Sequence, residues 1–209
     1  MSNETNWPEA IQPLLKAYKG TKHPLNFNTV YELMVAVILS AQDSDKHINS
    51  ITPKLFKAFP NMQALSHATA EDLLPYIGKV RNFGNKTTWL LDLAKQVKND
   101  KNIPKTMEGL VALPGIGRKS ANVIMRESGV PAEGIIVDLH VVRVAPRLGI
   151  ATGTDPKKIE QQMMKIIPQK DWEVGMAISF LGREICRPSN PNCEACVMKS
   201  VCEYYKQTY

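Results

Sequence analysis

Long hydrophobic stretches are missing from this 209-residue sequence. It contains no run of about 18 consecutive apolar residues, the length that a membrane-spanning helix needs. The polar start at residues 2–6 also lacks the basic segment and apolar core of a signal or transit peptide. We therefore expect a cytoplasmic protein that is not bound to a membrane.

Strand-like alternation of polar and apolar residues is also missing beyond a few positions, as are internal repeats and low-complexity tracts. The β-branched residues 135–137 form too short a run for a sheet, so we expect an extended, buried connector there. Apolar residues instead recur with helical spacing, and a hydrophobic content of 44% is enough for a buried core. The sequence predicts an all-α fold.

Several helix starts are marked by an N-capping residue with a favourable partner at the right distance. These pairs are Thr29 with Glu32, Thr69 with Asp72, and Asp155 with Pro156. The run 33–39, which follows the first cap, is apolar on every side of a helix. It predicts a helix in the middle of a domain.

Cysteine is scarce and confined to one place. The four cysteines are separated by six, two and five residues, and they are Cys186, Cys193, Cys196 and Cys202. Thiolates that converge in one short loop are ligands for a soft metal centre. Turn-forming residues at 188–192 let the loop surround a large group, so we expect a [4Fe–4S] cluster.

Two other uses of these cysteines remain as alternatives. Disulfides are typical of secreted proteins, and the start of the sequence does not predict secretion. A structural zinc site usually has two matched C-x2-C pairs, whereas only Cys193 and Cys196 form such a pair.

Basic residues outnumber acidic ones, 26 to 20, which gives a net charge of +6. Such a charge favours a polyanionic partner, although many unrelated proteins share it. Nucleic acid is therefore the leading candidate partner.

The segment 113–122 reads Leu-Pro-Gly-Ile-Gly-Arg-Lys-Ser-Ala-Asn, between two stretches with helical character. It predicts a helix-hairpin-helix. Gly115 and Gly117 permit positive φ and close approach of a ligand, and the unpaired N–H groups at the start of the second helix attract an anion. We expect a DNA phosphate here, and an ordinary corner between two helices is the alternative.

Lys119 lies in the first turn of this second helix, beside Arg118. The helix dipole and the neighbouring cation both favour loss of its proton, and only a neutral amine is a nucleophile. Binding of a phosphate without chemistry is the alternative role.

Asp138 follows three apolar residues, so we expect it to be at least partly buried and to have a partner. A carboxylate there can stabilise a cationic sugar transition state and accept protons. The alternative is that Asp138 only caps the helix that begins at Leu139. For His140 we expect a hydrogen-bonding role.

Together these features resemble the endonuclease III family of helix-hairpin-helix DNA glycosylases. The similarity covers residues 25–202 and rests on the hairpin, residues 137–140, the triplet 40–42 and the cysteine spacing. It implies two domains. One is a six-helix barrel at 25–133 with the helix-hairpin-helix at about 106–129, and the other is an iron–sulfur cluster domain formed by 1–24 and 134–209.

The resemblance also implies roles by position. Lys119 corresponds to a nucleophile that attacks the sugar C1′ of a flipped-out nucleotide and forms a Schiff base, and Asp138 corresponds to the catalytic aspartate. Gln42 corresponds to the residue that fills the gap left in the duplex. The other positions implied to contact DNA are Leu113, Gly115, Gly117, Arg118 and His140.

The implied activity is that of a bifunctional DNA N-glycosylase and abasic-site lyase. It would act as a nucleoid-associated monomer on double-stranded DNA with damaged bases, above all oxidised pyrimidines, or with abasic sites. A monofunctional glycosylase of the same superfamily and a non-catalytic duplex-binding protein are the alternatives.

The sequence departs from the family in three places. Leu139 replaces a usual threonine, and residues 131–134 alter the connector after the hairpin. The loop at residues 80–85, which commonly supplies a wedge into the duplex, differs as well, so that Asn82 or Phe83 is the expected wedge residue.

Overall fold

The computed structural model of the protein describes residues 5–209, and this part of the chain contains helices and no β-strand. The all-α prediction is confirmed for these residues. Most of the segment 2–6, and the first four residues of the predicted domain segment 1–24, lie outside them. The α-helices are α1 Trp7–Ala10, α2 Gln12–Ala17, α3 Val30–Ser40, α4 Asp45–Ala58, α5 Met62–Ser66, α6 Ala70–Ile77, α7 Phe83–Val97, α8 Met107–Val111, α9 Arg118–Glu127, α10 Leu139–Leu148, α11 Pro156–Ile166, α12 Val174–Glu184 and α13 Glu203–Thr208.

The chain divides into two compact units. The first is Lys22–Ala132, and the second combines the described residues up to Thr21 with Glu133–Tyr209. The assignment of the units as a six-helix barrel and a cluster domain stays a prediction. No helix of residues 5–209 is both long and apolar enough to cross a membrane.

In the unit Lys22–Ala132, helix α3 lies at the centre and packs against α4, α7 and α9. Every residue of 33–39 is buried, which confirms the prediction of a central helix. Burial of a leucine such as Leu33 or Leu39 contributes about 1.5–3 kcal/mol, so this one helix supplies much of the core.

The capping signals form as predicted, with one difference. Thr69 and Asp72 exchange both hydrogen bonds of a capping box at the start of α6. Thr29 caps α3 by accepting the N–H of Glu32, but the Glu32 carboxylate accepts the N–H of Asn28 instead of the N–H of Thr29. The reciprocal bond therefore reaches one residue further back than a capping box requires.

In the second unit, α10 and α12 pack together within a core that also includes residues of α2 and α11. The buried connector 135–137 is not a strand, as predicted, and its first two residues lie against Gly175 of α12. A β-carbon on Gly175 of α12 would collide with the carbonyl group of Ile136. This close approach holds the connector in place and so determines where Asp138 leaves it.

Candidate functional site

The predicted helix-hairpin-helix is formed by α8 and α9, with the turn at residues 113–117 between them. Thr106 caps α8 through its side chain, whereas Gly117 occupies the N-cap of α9 and has no side chain to offer. The first N–H groups of α9 therefore have no side-chain cap from Gly117. Such N–H groups, with the positive end of the helix dipole, suit an anionic ligand.

The two hairpin glycines differ in conformation. Gly115 has φ of +77°, and a β-carbon there would lie 3.2 Å from the Trp89 ring, so glycine is needed for the turn itself. Gly117 has φ of −94° and ψ of 172°, which any residue can adopt. The expectation of positive φ at Gly117 is wrong, because an N-cap takes an extended conformation. Nothing lies within 4 Å of its β-carbon position, so a ligand can approach closely.

Three further hairpin residues have different environments. The Leu113 side chain is buried, so any DNA contact by this residue would involve its backbone. Arg118 is half-buried and Lys119 is exposed. Lys119 is the second residue of α9 and lies in its first turn, as predicted. The proposed loss of its proton stays a prediction.

Gln42 and Asn82, expected separately to contact DNA, lie side by side. The Asn82 Nδ2 donates a hydrogen bond of 3.1 Å to the Gln42 Oε1, and both side chains are exposed. Both residues have left-handed backbones, with φ of +60° and +56°. Such a backbone costs about 1–2 kcal/mol for most residues but less for asparagine, so Gln42 in particular must be held by the surrounding structure. Phe83, the other wedge candidate, is partly exposed as the first residue of α7.

Lys86 holds the backbone that leads to Gln42. Its side chain is only 1% exposed, and Nζ donates hydrogen bonds of 2.7 Å to the carbonyl groups of Leu39 and Ala41, just before Gln42. Burial lowers the pKa of Lys86. A second hydrogen bond joins the two loops, because the Asp43 carboxylate accepts the N–H of Arg81, just before Asn82. The sequence signal for Lys86 is a lysine within the apolar stripe of α7.

Asp138 has the hydrogen-bonding partner that the sequence predicted, and it also caps α10, as the alternative interpretation indicated. Its Oδ1 accepts the N–H groups of His140 and Val141, each at 2.9 Å, and so caps α10. Its Oδ2 accepts the hydroxyl of Ser179 at 2.6 Å, with the Arg183 guanidinium at 3.8 Å. The side chain is 13% exposed. Capping of α10 and binding of Ser179 are compatible because they use different oxygen atoms of the carboxylate.

His140 is half-buried beside Asp138. Its Nδ1 lies 3.3 Å from the guanidinium of Arg143, which also donates to the carbonyl groups of Gly182 and Cys186. The contact of His140 with DNA stays a prediction.

All four cysteines line one apolar cavity and none forms a disulfide. Arg147 contacts two of them. Its Nη1 lies 3.4 Å from the Cys186 sulfur, and its carbonyl group accepts a hydrogen bond from the Cys202 thiol. Burial raises the pKa of the thiols of Cys193, Cys196 and Cys202. Over residues 5–209, no group of three or more Cys, His, Asp and Glu side chains is arranged to hold a metal ion.

Comparison with known proteins decides the family. The sequence profile of the HhH-GPD superfamily of base excision DNA repair proteins matches residues 35–169, well over half of the chain. The chain belongs to this superfamily. Endonuclease III of Synechocystis sp. is 36% identical over 197 residues, which cover 93% of this chain and 90% of the relative. Endonuclease III of Haemophilus influenzae is 34% identical over 206 residues, with 95% and 97% covered.

Solved structures extend the comparison. A trapped covalent intermediate of endonuclease III with DNA and a non-covalent endonuclease III–DNA complex each align with a TM-score of 0.87. Both are 30% identical and cover 98% of each chain. A thermostable thymine-DNA glycosylase, with a TM-score of 0.81 and 20% identity over 97% of both chains, shares the fold.

In this HhH-GPD protein the structure brings together several residues that the sequence suggested separately. It pairs Gln42 with Asn82, groups the four cysteines, and sets Asp138 at the start of the helix that carries His140. Lys119 belongs to one compact unit and Asp138 to the other. Lys86 and Ser179 were not expected from the sequence.

Proposed function

We propose that this DNA repair glycosylase and abasic-site lyase excises oxidised pyrimidines from duplex DNA, with Lys119 as nucleophile and Asp138 as catalytic carboxylate. The observation that carries the proposal is its full-length similarity to an endonuclease III trapped in a covalent intermediate with DNA. An exposed lysine in the first turn of α9 fits the nucleophile of such an intermediate.

The reaction begins with extrusion of the damaged nucleotide, because C1′ is inaccessible inside a stacked duplex. The neutral amine of Lys119 attacks C1′, and the base leaves with the electron pair of the glycosidic bond. The nitrogen then gives one proton to the departing base and a second to the ring oxygen as the sugar ring opens, which leaves a Schiff base. Loss of a proton from C2′ breaks the C3′–O bond by β-elimination, which cuts the strand.

Asp138 supports this chemistry by its negative charge. As the sugar carbon becomes cationic, a fixed carboxylate lowers the energy of the transition state without reorganising at the moment of reaction. The cap bonds to Oδ1 hold the carboxyl group at the start of α10.

Duplex opening is assigned to the bonded pair Gln42 and Asn82. Both side chains are exposed and polar, and the left-handed backbones and the anchor at Lys86 keep the two loops together. We assign gap filling to Gln42 and the wedge to Asn82, which is bonded to Gln42, in preference to Phe83.

The function is tested by strand products. Labelled duplexes with an oxidised pyrimidine, an abasic site or no lesion are incubated with the protein and resolved on a denaturing gel. We expect cleavage of the first two and none of the third. Base release without strand cleavage would identify a monofunctional glycosylase. Binding of the duplex with neither base release nor strand cleavage would identify a non-catalytic DNA-binding protein.

Gly117→Ala should weaken binding to all duplexes while lowering the thermal unfolding temperature only slightly. The backbone at Gly117 accepts an alanine without strain, but the new methyl group would stand where a phosphate approaches the start of α9. Dissociation constants measured at several salt concentrations check this, since phosphate contacts make affinity fall with salt whatever the sequence. Gly115→Ala is the contrasting variant and should destabilise the fold. Unchanged affinity of Gly117→Ala would contradict the hairpin as a phosphate site.

We further propose that Cys186, Cys193, Cys196 and Cys202 hold a [4Fe–4S] cluster. The four thiols are soft ligands of the kind that an iron–sulfur cluster would take, and they line one apolar cavity. Backbone N–H groups point at two of these sulfurs, from Met198 to Cys196 and from Tyr204 and Tyr205 to Cys202. Such donors stabilise thiolates bound to iron. When bound, the cluster contributes folding energy, and no step of base excision is assigned to it.

Freshly purified protein should therefore be brown and contain iron. Cys196→Ser should lose colour and iron and unfold at a lower temperature, because a missing ligand removes metal-binding energy. Ser189→Ala, in the same loop but without a thiol, is the matched control and should retain both. Colourless wild-type protein that contains zinc would support the alternative of a structural zinc site.

A further inference from the structure

Ser179 is a buried polar residue that the proposed mechanism does not yet explain. It is 1% exposed and lies on α12 among buried apolar residues. A buried hydroxyl is costly unless it forms a hydrogen bond. Ser179 donates its proton to the Asp138 Oδ2 at 2.6 Å, within the short range expected for a hydroxyl bound to a charged carboxylate.

The Asp138 Oδ2 has two further neighbours in the described structure, and neither contact is a close hydrogen bond. The Arg183 guanidinium is 3.8 Å away, which is an ion pair but too long for a hydrogen bond. Leu139, the next residue along the chain, is 70% exposed and carries no donor in its side chain. Among the described contacts of this oxygen, the hydroxyl of Ser179 is thus the close side-chain donor.

Helix packing fixes the position of that hydroxyl. On α12, a β-carbon at Gly182 would come within 2.9 Å of the His140 β-carbon on α10, and Gly175 meets the connector that leads to Asp138. Because α12 packs closely against the connector on one side of Ser179 and against α10 on the other, the hydroxyl has a defined place relative to the carboxylate. A group held by two packed helices is oriented more accurately than one on a loop.

We propose that Ser179 is a positioning residue for base excision: its hydroxyl fixes the Oδ2 of Asp138 and so orients the carboxylate toward the reacting sugar. The inference rests on the catalytic role proposed for Asp138. The cap bonds hold Oδ1, and Ser179 prevents rotation of the free half of the carboxyl group.

The test compares four properties of Ser179→Ala with the wild type. They are the unfolding temperature, affinity for a duplex with a non-cleavable abasic-site analogue, the single-turnover rate of base excision, and strand cleavage at a preformed abasic site. We expect excision to fall by about 10- to 100-fold, as when a catalytic group is misplaced by up to about 1 Å. Affinity should stay within about twofold, and cleavage at the abasic site should fall less than excision.

Two further substitutions separate positioning from packing. Ser179→Cys fills the same space with a weak donor, so it should restore the unfolding temperature but excise as slowly as Ser179→Ala. Ser179→Thr retains a hydroxyl and should recover part of the excision rate. If Ser179→Cys excised at the wild-type rate, or if stability, affinity and excision all fell together in every variant, the positioning role would be wrong.

A double-mutant cycle with Asp138→Asn distinguishes this inference from the proposed function. Ser179→Ala should slow the residual excision of Asp138→Asn by less than about twofold, because both changes act on one group. Fully multiplied effects would show that Ser179 acts independently and would overturn the inference. If Asp138→Asn alone excised bases at the wild-type rate, the catalytic role proposed for Asp138 would instead be wrong. If Asp138→Asn lost excision while Ser179→Ala excised at the wild-type rate, only the positioning role of Ser179 would be wrong.

Discussion

Lys119→Ala should abolish the covalent adduct that borohydride traps between the wild-type protein and a duplex containing an abasic site. The proposed Schiff base is a carbon–nitrogen double bond between Lys119 and the opened sugar, and borohydride would reduce it to a stable amine. Alanine has no amine, so the adduct should fall to below about 1% of the wild-type yield. Denaturing gels that resolve free DNA from the slower adduct measure the effect.

Lys101→Ala is the matched control for Lys119→Ala. Lys101 is also exposed and in the same unit, so its removal lowers the net charge equally, yet it should leave the adduct unchanged. Affinity of Lys119→Ala for the duplex should remain measurable, because loss of one phosphate contact weakens binding only in part. If the wild type released bases without forming an adduct, Lys119 would be a phosphate-binding residue and the protein a monofunctional glycosylase.

Asp138→Asn should slow base excision by about 100-fold or more with little change in stability. Asparagine retains an oxygen that can accept the N–H groups of His140 and Val141, so the cap of α10 persists. The substitution removes the negative charge that we propose stabilises the cationic sugar, so its loss should act on the transition state. Single-turnover excision and thermal unfolding of the same preparation measure the two effects separately.

Asp138→Ala provides the comparison for the cap. Alanine loses both the charge and the cap, so it should also lower the free energy of unfolding by about 0.5–2 kcal/mol. Asp138→Asn would identify the aspartate as a cap alone if it lost stability but retained its excision rate.

Features that depend on near neighbours in the chain could be predicted from the sequence. The capping box of Thr69 and Asp72, the two helices of the hairpin and the buried run 33–39 were all predicted and are confirmed. Their signals are spacings of three or four residues and a helical apolar pattern, and both act within one element. The cysteine loop was equally visible, because its members lie close together in sequence.

Predictions that required a particular backbone angle or partner were less accurate. Gly117 was expected to need positive φ, but its place at the N-cap of α9 gives it an extended conformation. Glu32 was expected to bond to Thr29, but its carboxylate meets Asn28. In both cases the residue type was informative, while the geometry depended on where the helix begins.

The sequence by itself determined the all-α fold, the hairpin with Lys119 in the first turn of α9, and the position of Asp138 at a helix start. Only the tertiary structure decided that Ser179 binds the second oxygen of Asp138 and that Lys86 binds the carbonyl groups of Leu39 and Ala41, just before Gln42. These partners lie 41 residues apart for Ser179 and Asp138, and 47 for Lys86 and Leu39. No local spacing or periodicity encodes such pairs, because they arise from the way that buried helix faces pack against one another.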